Sequence, residues 1–518
     1  MIWDDHAYLM ADLELIDAED GVGMVRAEAY KHADNPVGGG RLGVKRKDIA
    51  RPELLNGYPK CVVREGGVYR GWFACRLARE PVNSCLAAYG ESDDGVHFRP
   101  RPVPKSARGG AAERNVVCIT SDPRFTVSEE CLFHDPLDEV YPYKTVVLTR
   151  GTADQLNPAT RAQNPGMWES WRHHPSLGWF VCGLGRSRDG FHWEMPPAEQ
   201  TLVDDCIEGP VILRALDGGY VVGNQMVGFG ITRKFIGWVT YDGKRARRLD
   251  QPVFALPEHM TNVSKRFLGK TSLESFAWVQ SHVRLVPWKK GPSMFALHGY
   301  LYGPPRIDRY AHTYDIGLAV SSTGYAYRQV WPFRPFLRRG NMGEWDCTGT
   351  CQTASIVETP THTLFYYFGG ESGNARTDPR YYRYGWGVGH VEKDRLGFQA
   401  IFQNVDYEKR PRRGVVTLRP LTLPDRPGIA INADNCTASR TIRLELRRKS
   451  GRVIPGFSFR NCVPVTRSGL RRNVEWKNRD VRQLAGREIV VAAELASRSC
   501  QYPDLHSPRL YALYTNRK

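Results

Sequence analysis

The chain has 518 residues, and 72 Lys and Arg against 55 Asp and Glu leave a formal net charge of +17 with the histidines neutral. Hydrophobic residues at 41% and aromatics at 11% supply a substantial core, yet no run approaches the roughly 18 apolar residues of a membrane helix, so wholesale disorder and a helical membrane protein are both excluded. Fifty Gly and 34 Pro favour many short strands and tight turns over a helical bundle, and the length allows roughly two to four domains.

The N-terminal MIWDDHAYLMADLELIDAEDG is acidic where an export leader would be basic, and it has no apolar core before a small-residue cleavage site; this slightly favours the cytoplasm. Residues 1–50 are expected to pack on or close the domain that follows. From there five predicted hairpins follow one another, at Tyr58–Arg76, Glu129–Thr149, Glu208–Val227, Val279–Leu301 and Cys351–Gly370. Each has an apolar run, a turn rich in Gly, Pro or Asp, and a second apolar or aromatic run.

After each hairpin comes an apolar strand that runs into a turn. The copies are LAAYGESDDGVHF (Leu86–Phe98), CGLGRSRDGFHW (Cys182–Trp193), IGWVTYDGKRA (Ile236–Ala246), IGLAVSSTGYAY (Ile316–Tyr327) and the more degenerate WGVGHVEKDRLGF (Trp386–Phe398). In the better copies Ser and Asp-Gly supply side-chain acceptors and a permissive backbone for a tight turn. With Ser92, Ser187, Thr240, Ser321 and Glu392 as equivalents the intervals are 95, 53, 81 and 71 residues. Uneven spacing suits propeller blades with loops of different size and not a solenoid of fixed repeat.

Beyond residue 415 the texture changes to alternating strands such as RTIRLELRRKSGRVIPGF and GREIVVAAEL, which predict a C-terminal β-sandwich over 416–518. The expected fold is therefore all-β: a leader over 1–50, a five-bladed β-propeller over 51–415, and the sandwich. The 12 cysteines are scattered through strand-like text and read as buried free thiols. The positive charge reads as distributed, with short clusters at Arg245–Arg248, Arg338–Arg339, Arg410–Arg413 and Arg447–Lys449 and no nucleic-acid-binding motif.

SRDGFHW, ESDDGVHF and EGPVILRALDGGYVV together resemble the five-bladed β-propeller glycoside hydrolases, the group that includes families 32, 43, 62 and 68. The third segment is similar to the one that holds the general acid in family 43, and the C-terminal sandwich resembles the accessory domain of many such propellers. The chain departs from the group in lacking a WMNDPNG-like segment and in placing Tyr58 where family 43 has an Asp before the Pro. The resemblance thus implies fold and reaction class, and no particular family or sugar.

In such a propeller the first strand of each blade starts near the axis, so residues opening those strands converge on one funnel. Cleavage of a glycosidic bond needs one carboxyl group to protonate the leaving oxygen and another to activate water or attack the sugar. The resemblance and its position just ahead of the third hairpin make Glu208 the general acid; Glu130, Glu129 and Asp346 are candidates for its partner. Trp345 beside Asp346, Trp278, Gln280, His282 and Arg233 are candidates for substrate binding, as is Asp34 if the N-terminal segment crosses the funnel; an Asx-turn before Pro36 is the plainer role for Asp34. Asp135 in HDP aligns with Glu65 and Asp217 in the turn after the first strand, which makes it a turn residue, and Glu169 with His173-His174 before Pro175 reads as a loop.

No P-loop, dinucleotide fingerprint, zinc-protease motif or nucleophilic serine elbow is present. No organic cofactor and no metal site is expected; a structural calcium would leave nothing to read here. The expected partner is an oligo- or polysaccharide, with the basic excess favouring an acidic one, and neither nucleic acid nor membrane. A carbohydrate-binding or interaction propeller without catalysis is the alternative: the missing first-blade acid suits it, whereas convergent carboxylates suit the enzyme.

Overall fold

The computed structural model describes residues 2–39, 51–75, 85–150, 179–198, 200, 202–203, 211–229, 232–254, 279–302, 313–331, 334–341, 343–347, 349–372, 382–401, 413–498 and 507–516. The regular structure among them is strand, apart from short 3-10 turns such as Pro52–Leu54 and Val481–Leu484. The protein is all-β.

Five antiparallel meanders follow in order. Sheet one has Pro59–Glu65 innermost, then Val68–Ala74, Leu86–Ser92 and Arg99–Pro100; sheet two runs Phe125–His134, Tyr143–Arg150, Trp179–Ser187, Trp193–Glu194. Sheet three runs Val211–Arg214, Tyr220–Phe229, Thr232–Thr240, Arg247–Arg248, and sheet four Val279–Lys290, Ser293–Tyr302, Thr313–Ser321, Arg328–Gln329. Sheet five runs Gly349–Glu358, His362–Ser372, Tyr382–Glu392; a single parallel bridge, Tyr314 to Gly349, joins it to sheet four, and its outer edge is filled from the N-terminal segment by Tyr30–Lys31 and Gly38–Gly39. The first strands touch in a closed cycle, one to two, two to three, three to four, four to five and five to one.

Burial explains the cycle. Each pair of neighbouring sheets shares one apolar cluster: Trp72 and Val147 between one and two, Val146 and Trp238 between two and three, Phe235 and Tyr300 between three and four, Trp288 and Phe365 between four and five, Phe73 and Trp386 between five and one. Both faces of every meander are therefore covered by its neighbours.

The recurring turn closes the third strand by the chemistry its residues dictate. In sheet one Ser92 Oγ accepts from Gly95 N (2.9 Å), while Asp94 Oδ1 accepts from Val96 N (2.7 Å) and His97 N (2.8 Å). Ser187 and Asp189 repeat this wiring in sheet two, and Thr240 and Asp242 in sheet three; in sheet four Ser321 takes Gly324 N and Thr323 takes Tyr325 N. Gly243 sits at φ +68°, where a Cβ would meet nothing closer than 3.8 Å, whereas a Cβ on Gly190 (φ +77°) would fall 2.4 Å from the Trp72 ring. The fifth copy differs: the positive φ of 62° falls on Asp394, whose carboxylate turns inward to Lys290.

The remaining strands form two sheets that enclose a separate core including Leu444, Phe457, Trp476, Leu495 and Leu513. One runs Gly469–Asn473, Pro427–Asp434, Arg509–Asn516, Gly397–Ile401, Val22–Arg26; the other runs Leu421–Thr422, Glu488–Ser497, Arg413–Leu418, Ile16–Asp20, with Arg440–Arg447 also on Glu488–Ser497. Strand pairing thus crosses both expected boundaries, since Ile16–Asp20 and Val22–Arg26 precede residue 50 and Gly397–Ile401 precedes residue 416. Eight cysteines among the described residues carry free thiols, Cys61, Cys182 and Cys462 among the buried ones.

Two outcomes are expected of the turns. Gly243→Ala loses about 1 kcal/mol for its positive φ, and Gly190→Ala loses more because Trp72 stands in the way, read by urea unfolding. In Asp94 and Asp189 partial burial opposes ionisation, but the His97 and His192 rings and nearby backbone N–H groups outweigh it; in Asp242 the N–H groups of Arg245 and Lys244 act first. All three carboxyls lie below their ordinary value in the folded chain. Their stabilisation is then complete above the unfolded pKa of about 3.9 and is lost as pH falls below it. Melting temperature should drop as pH falls from about 4 towards 2, and Asp94→Asn should flatten that drop.

Candidate functional site: the bulged ends of the inner strands

The two ends of the ring of sheets differ. At one end lie the hairpin turns and the Ser-x-Asp-Gly turns, where side chains bridge sheets: Tyr143 donates to Glu65 (2.8 Å), Tyr220 and Arg214 to Asp135, Tyr325 to Asp217 (2.7 Å), and Lys290 pairs with Glu358 (2.5 Å). The first strand of every sheet ends here, so all five begin at the opposite end, the proposed mouth. Asp135 is fully buried, and its Oδ1 accepts from Leu137 N (3.0 Å) within its own turn, which gives it a structural place.

Between mouth and turns, four inner strands bulge at matching positions; in sheet one Lys60 is the extra residue between the Pro59–Phe73 and Cys61–Trp72 pairs. Residues 128–131 face the single residue Val146, residues 283–285 face His298, and residues 353–355 face Tyr366. Val146, His298 and Tyr366 are all buried, so each of these three bulges rests on a rigid second strand. Burial pushes the His298 imidazole down to about 3, leaving it neutral in that wall. Extra residues in a strand break the inward-outward alternation and re-aim side chains, which is why bulges gather beside active sites. Ser355, in the bulge of sheet five, crosses to sheet one, where its Oγ accepts from Val62 N (2.6 Å).

The predicted residues divide as follows. Glu129 and Glu130 fall in the bulge of the Phe125–His134 strand, and Gln280 and His282 on the mouth side of the bulge in Val279–Lys290; the side chains of these four, and of Arg233, lie outside the described residues. Glu208, Trp278, Glu169, His173 and His174 lie outside them altogether. Asp34 is exposed and faces His97 Nε2 (3.2 Å), beside the turn of sheet one and so at the turn end of the ring. Among the described residues no group of three His, Cys, Asp or Glu side chains is placed to hold a metal ion.

Trp345 and Asp346 come together on the face of sheet five. The Trp345 ring stacks on Tyr367 (centroids 5.6 Å apart) and covers Gly369, where a Cβ would fall 2.7 Å from the ring. Asp346 is 1% exposed, ion-paired with Lys31 Nζ at 2.6 Å, and accepts from Tyr367 OH at 3.1 Å. Asn35 completes the group, donating to Tyr367 OH (3.1 Å) and bonding both backbone groups of Val388. The arrangement anchors the N-terminal edge strand to the loop that leads into Gly349–Glu358. Reasoning from sequence missed Lys31, Asn35 and Tyr367 because no spacing signal links the N-terminal segment to the fifth hairpin.

A cleft of about 280 Å³ at the turn end, between sheets two and three, is lined by Tyr141, Lys144, Arg186, Glu194, Tyr220 and Tyr241. Two of its cations are paired with carboxylates of the same cleft, Lys144 with Asp138 (2.7 Å) and Arg186 with Glu194 (2.9 Å).

No family model matches the chain, and no curated protein matches it. Solved structures resemble it distantly. An N-acetylgalactosamine deacetylase from F. plautii, in complex with blood group B trisaccharide, is 12% identical with a TM-score of 0.40, over 71% of this chain and 96% of that one. A glycosyl hydrolase from Bacteroides ovatus is 12% identical with a TM-score of 0.41, over 70% and 94%. A structure from the GH130 family of mannoside phosphorylases, which contains glycoside hydrolases that target β-1,2 mannosidic linkages in Candida mannan, is 11% identical with a TM-score of 0.38, over 72% and 94%. Likeness at this level assigns the chain to none of them.

The Lys31–Asp346 pair gives a test of the anchor. Lys31→Met leaves a buried carboxylate without its cation and should cost about 3 kcal/mol in urea unfolding. Adding Asp346→Asn should recover part of that loss, and the double-mutant cycle isolates the pair.

Proposed function

We propose that the five meanders are the blades of a five-bladed β-propeller, that the C-terminal sheets form a β-sandwich on it, and that the protein is a glycoside hydrolase acting at the propeller mouth. The observation that carries the reading is the alignment of four bulges in a closed ring of inner strands, with two adjacent carboxylates, Glu129 and Glu130, in one of them. Glu208 lies three residues ahead of the next inner strand, Val211–Arg214, in sequence, so in this reading the two halves of an acid/base pair come from neighbouring blades. In the proposed mechanism Glu208 protonates the leaving glycosidic oxygen. Glu130 attacks the anomeric carbon or activates water, and the separation of the two carboxyls sets which: about 5 to 5.5 Å for retention, roughly 6.5 to 9.5 Å for inversion.

Gln280 and His282 are proposed to hydrogen-bond sugar hydroxyls from the adjoining inner strand, with Trp278 and Arg233 as further contacts and Glu129 beside the pair. Asp346 enters as a positioning residue: sealed by Lys31 and Tyr367, it fixes the loop that carries Trp345. The substrate is an oligo- or polysaccharide. A second reading, a propeller that binds glycan without cleaving it, is favoured by one observation: Tyr58 fills the place ahead of the first inner strand and packs its ring on Phe368 (5.7 Å).

A panel of glycans and aryl glycosides, assayed with wild type and with Glu208→Gln, separates the two. The hydrolase reading expects turnover that falls by about 10²- to 10⁴-fold in the variant, the usual span for a lost general acid. Undiminished turnover in Glu208→Gln removes the assignment of the acid. Binding without turnover by wild type establishes the second reading.

A further inference from the structure

The +17 charge is not spread evenly. Between Arg447 and Arg482, 36 residues hold eleven Lys and Arg against two Asp and Glu, so this segment alone supplies +9 of the +17. Nine of the eleven are exposed. Arg448, Arg452, Arg460, Arg467, Lys477 and Arg479 face no carboxylate among the described residues, whereas Arg447, Lys449 and Arg482 pair with Glu445, Glu488 and Asp480.

The backbone gathers these cations along one edge of the C-terminal sheets. Residues 448–452 form a tight turn in which Arg448 N donates to Arg452 O (2.8 Å), with Gly451 at φ +81°. The chain then returns alongside the strand Arg440–Arg447, as Ile454 N donates to Leu446 O (2.9 Å), Leu446 N to Phe457 O (2.9 Å) and Val465 N to Ile442 O (2.9 Å). Residues 474–479 add a further layer through Val463 N to Glu475 O (2.8 Å) and Lys477 N to Asn461 O (2.9 Å). Arg479 lies across Gly456, where a Cβ would fall 2.4 Å from its Nε. Three adjacent runs of chain thus present their cations together.

Cations on a sheet edge commonly serve to prevent edge-to-edge pairing. That role is already filled here, because the segment 453–465 covers the edge of Arg440–Arg447. What remains is a rigid concentration of like charge whose mutual repulsion works against the folded state unless a counter-charge relieves it. The aromatics of the segment do not offer a stacking platform for single-stranded bases: Phe457 and Trp476 are buried and Phe459 is half-buried. No helix or ribbon projects from it to enter a DNA groove.

We propose that this edge is a binding site for an anionic polysaccharide, a polyuronate or a sulfated glycan held through its charge. The preference for a glycan over other polyanions rests on the glycosidase reading above; the site itself does not. It lies on the sandwich, apart from the mouth of the propeller.

The test uses the full chain in the Glu208→Gln form, so that binding is read without turnover, against immobilised polygalacturonate, neutral dextran and duplex DNA. Polygalacturonate should be retained and dextran not, with affinity falling about 10-fold or more between roughly 50 and 200 mM NaCl as counterions are released. The combined variant Arg448→Gln, Arg452→Gln, Arg460→Gln, Lys477→Gln should weaken that binding about 10-fold or more while its melting temperature holds. Failure to retain polygalacturonate, equal retention of dextran, or unchanged affinity in the variant each overturns the proposal. Duplex DNA bound as tightly as polygalacturonate or tighter also overturns it, in favour of a nucleic-acid surface. Absence of hydrolysis by wild type alongside intact salt-dependent binding would sink the enzyme reading and leave this site standing.

Discussion

The ring of sheets depends on a seam of polar contacts at its turn end, where the hairpin turns of the first four sheets each offer the next sheet a charged group. Glu65, Asp135 and Asp217 occupy corresponding turns, and each accepts the phenol of a tyrosine from the sheet that follows, Tyr143, Tyr220 and Tyr325. Burial and then the adjoining carboxylate push Tyr143 and Tyr220 above their ordinary values, so both remain neutral donors. At the fourth junction the sign reverses. Lys290, 1% exposed, takes the turn position and pairs with Glu358 of sheet five and with Asp394 (2.7 Å), which also receives Tyr514 OH (2.8 Å) from the C-terminal sheets. Burial pulls the ammonium towards the neutral form, but the two carboxylates outweigh it and hold the Lys290 pKa well above the ordinary value. One buried cation therefore closes the ring between sheets four and five and fastens the C-terminal unit to it. Removing such a cation is far more costly than removing a surface charge, because Asp394 would be left buried without its ion pair while Glu358 kept only Lys393.

A seam of this kind assigns the ends of the ring different work. The turn end is filled with matched donors and acceptors, and its cleft between sheets two and three pairs Lys144 and Arg186 with its own carboxylates. The mouth end is where the inner strands give up regular pairing, at four bulges seated on buried second strands. Bulges are sustainable there because the rigid turn end fixes the register of every hairpin from the other side. This division is what makes a reactive site at the mouth physically reasonable in the proposed enzyme: irregular backbone for chemistry, supported by regular backbone for stability.

Much of the architecture was legible because its turns carry their chemistry locally. Ser92, Asp94 and Gly95 specify a turn by side-chain acceptors and a positive φ, so three residues announce the end of a strand wherever they recur. Contacts between distant segments leave no such mark. The pairing of Tyr30–Lys31 with sheet five, the ion pair of Lys31 with Asp346, and the passage of Gly397–Ile401 into the C-terminal sheets all join segments whose partners are set by tertiary packing. Asp346 shows the consequence. Its Gly-rich, Trp-flanked loop reads as a funnel mouth, yet the side chain is buried against a lysine that local sequence could not have named. The charge pattern was different again: the concentration over residues 447–482 is visible in any windowed count, and was obscured by attention to short runs of adjacent arginines in place of density over a longer stretch.

A charged edge on the sandwich and a mouth on the propeller impose a condition on each other in the proposed reading. Two sites on one chain raise the effective concentration of a polymer at the second site once the first is occupied, without any new contact at the mouth. The gain holds only if the first site releases quickly enough for the chain to move along its substrate. Exposed arginines meeting a polyanion satisfy that condition, since each contact is weak, screened within about 10 Å at moderate salt, and replaceable by the next charge along the polymer. A deep aromatic pocket at the same place would hold one stretch of glycan and stall. The absence of exposed aromatics from the basic edge, and its reliance on long flexible cations, is therefore consistent with a surface that gathers substrate and leaves recognition of the sugar to the bulged strands.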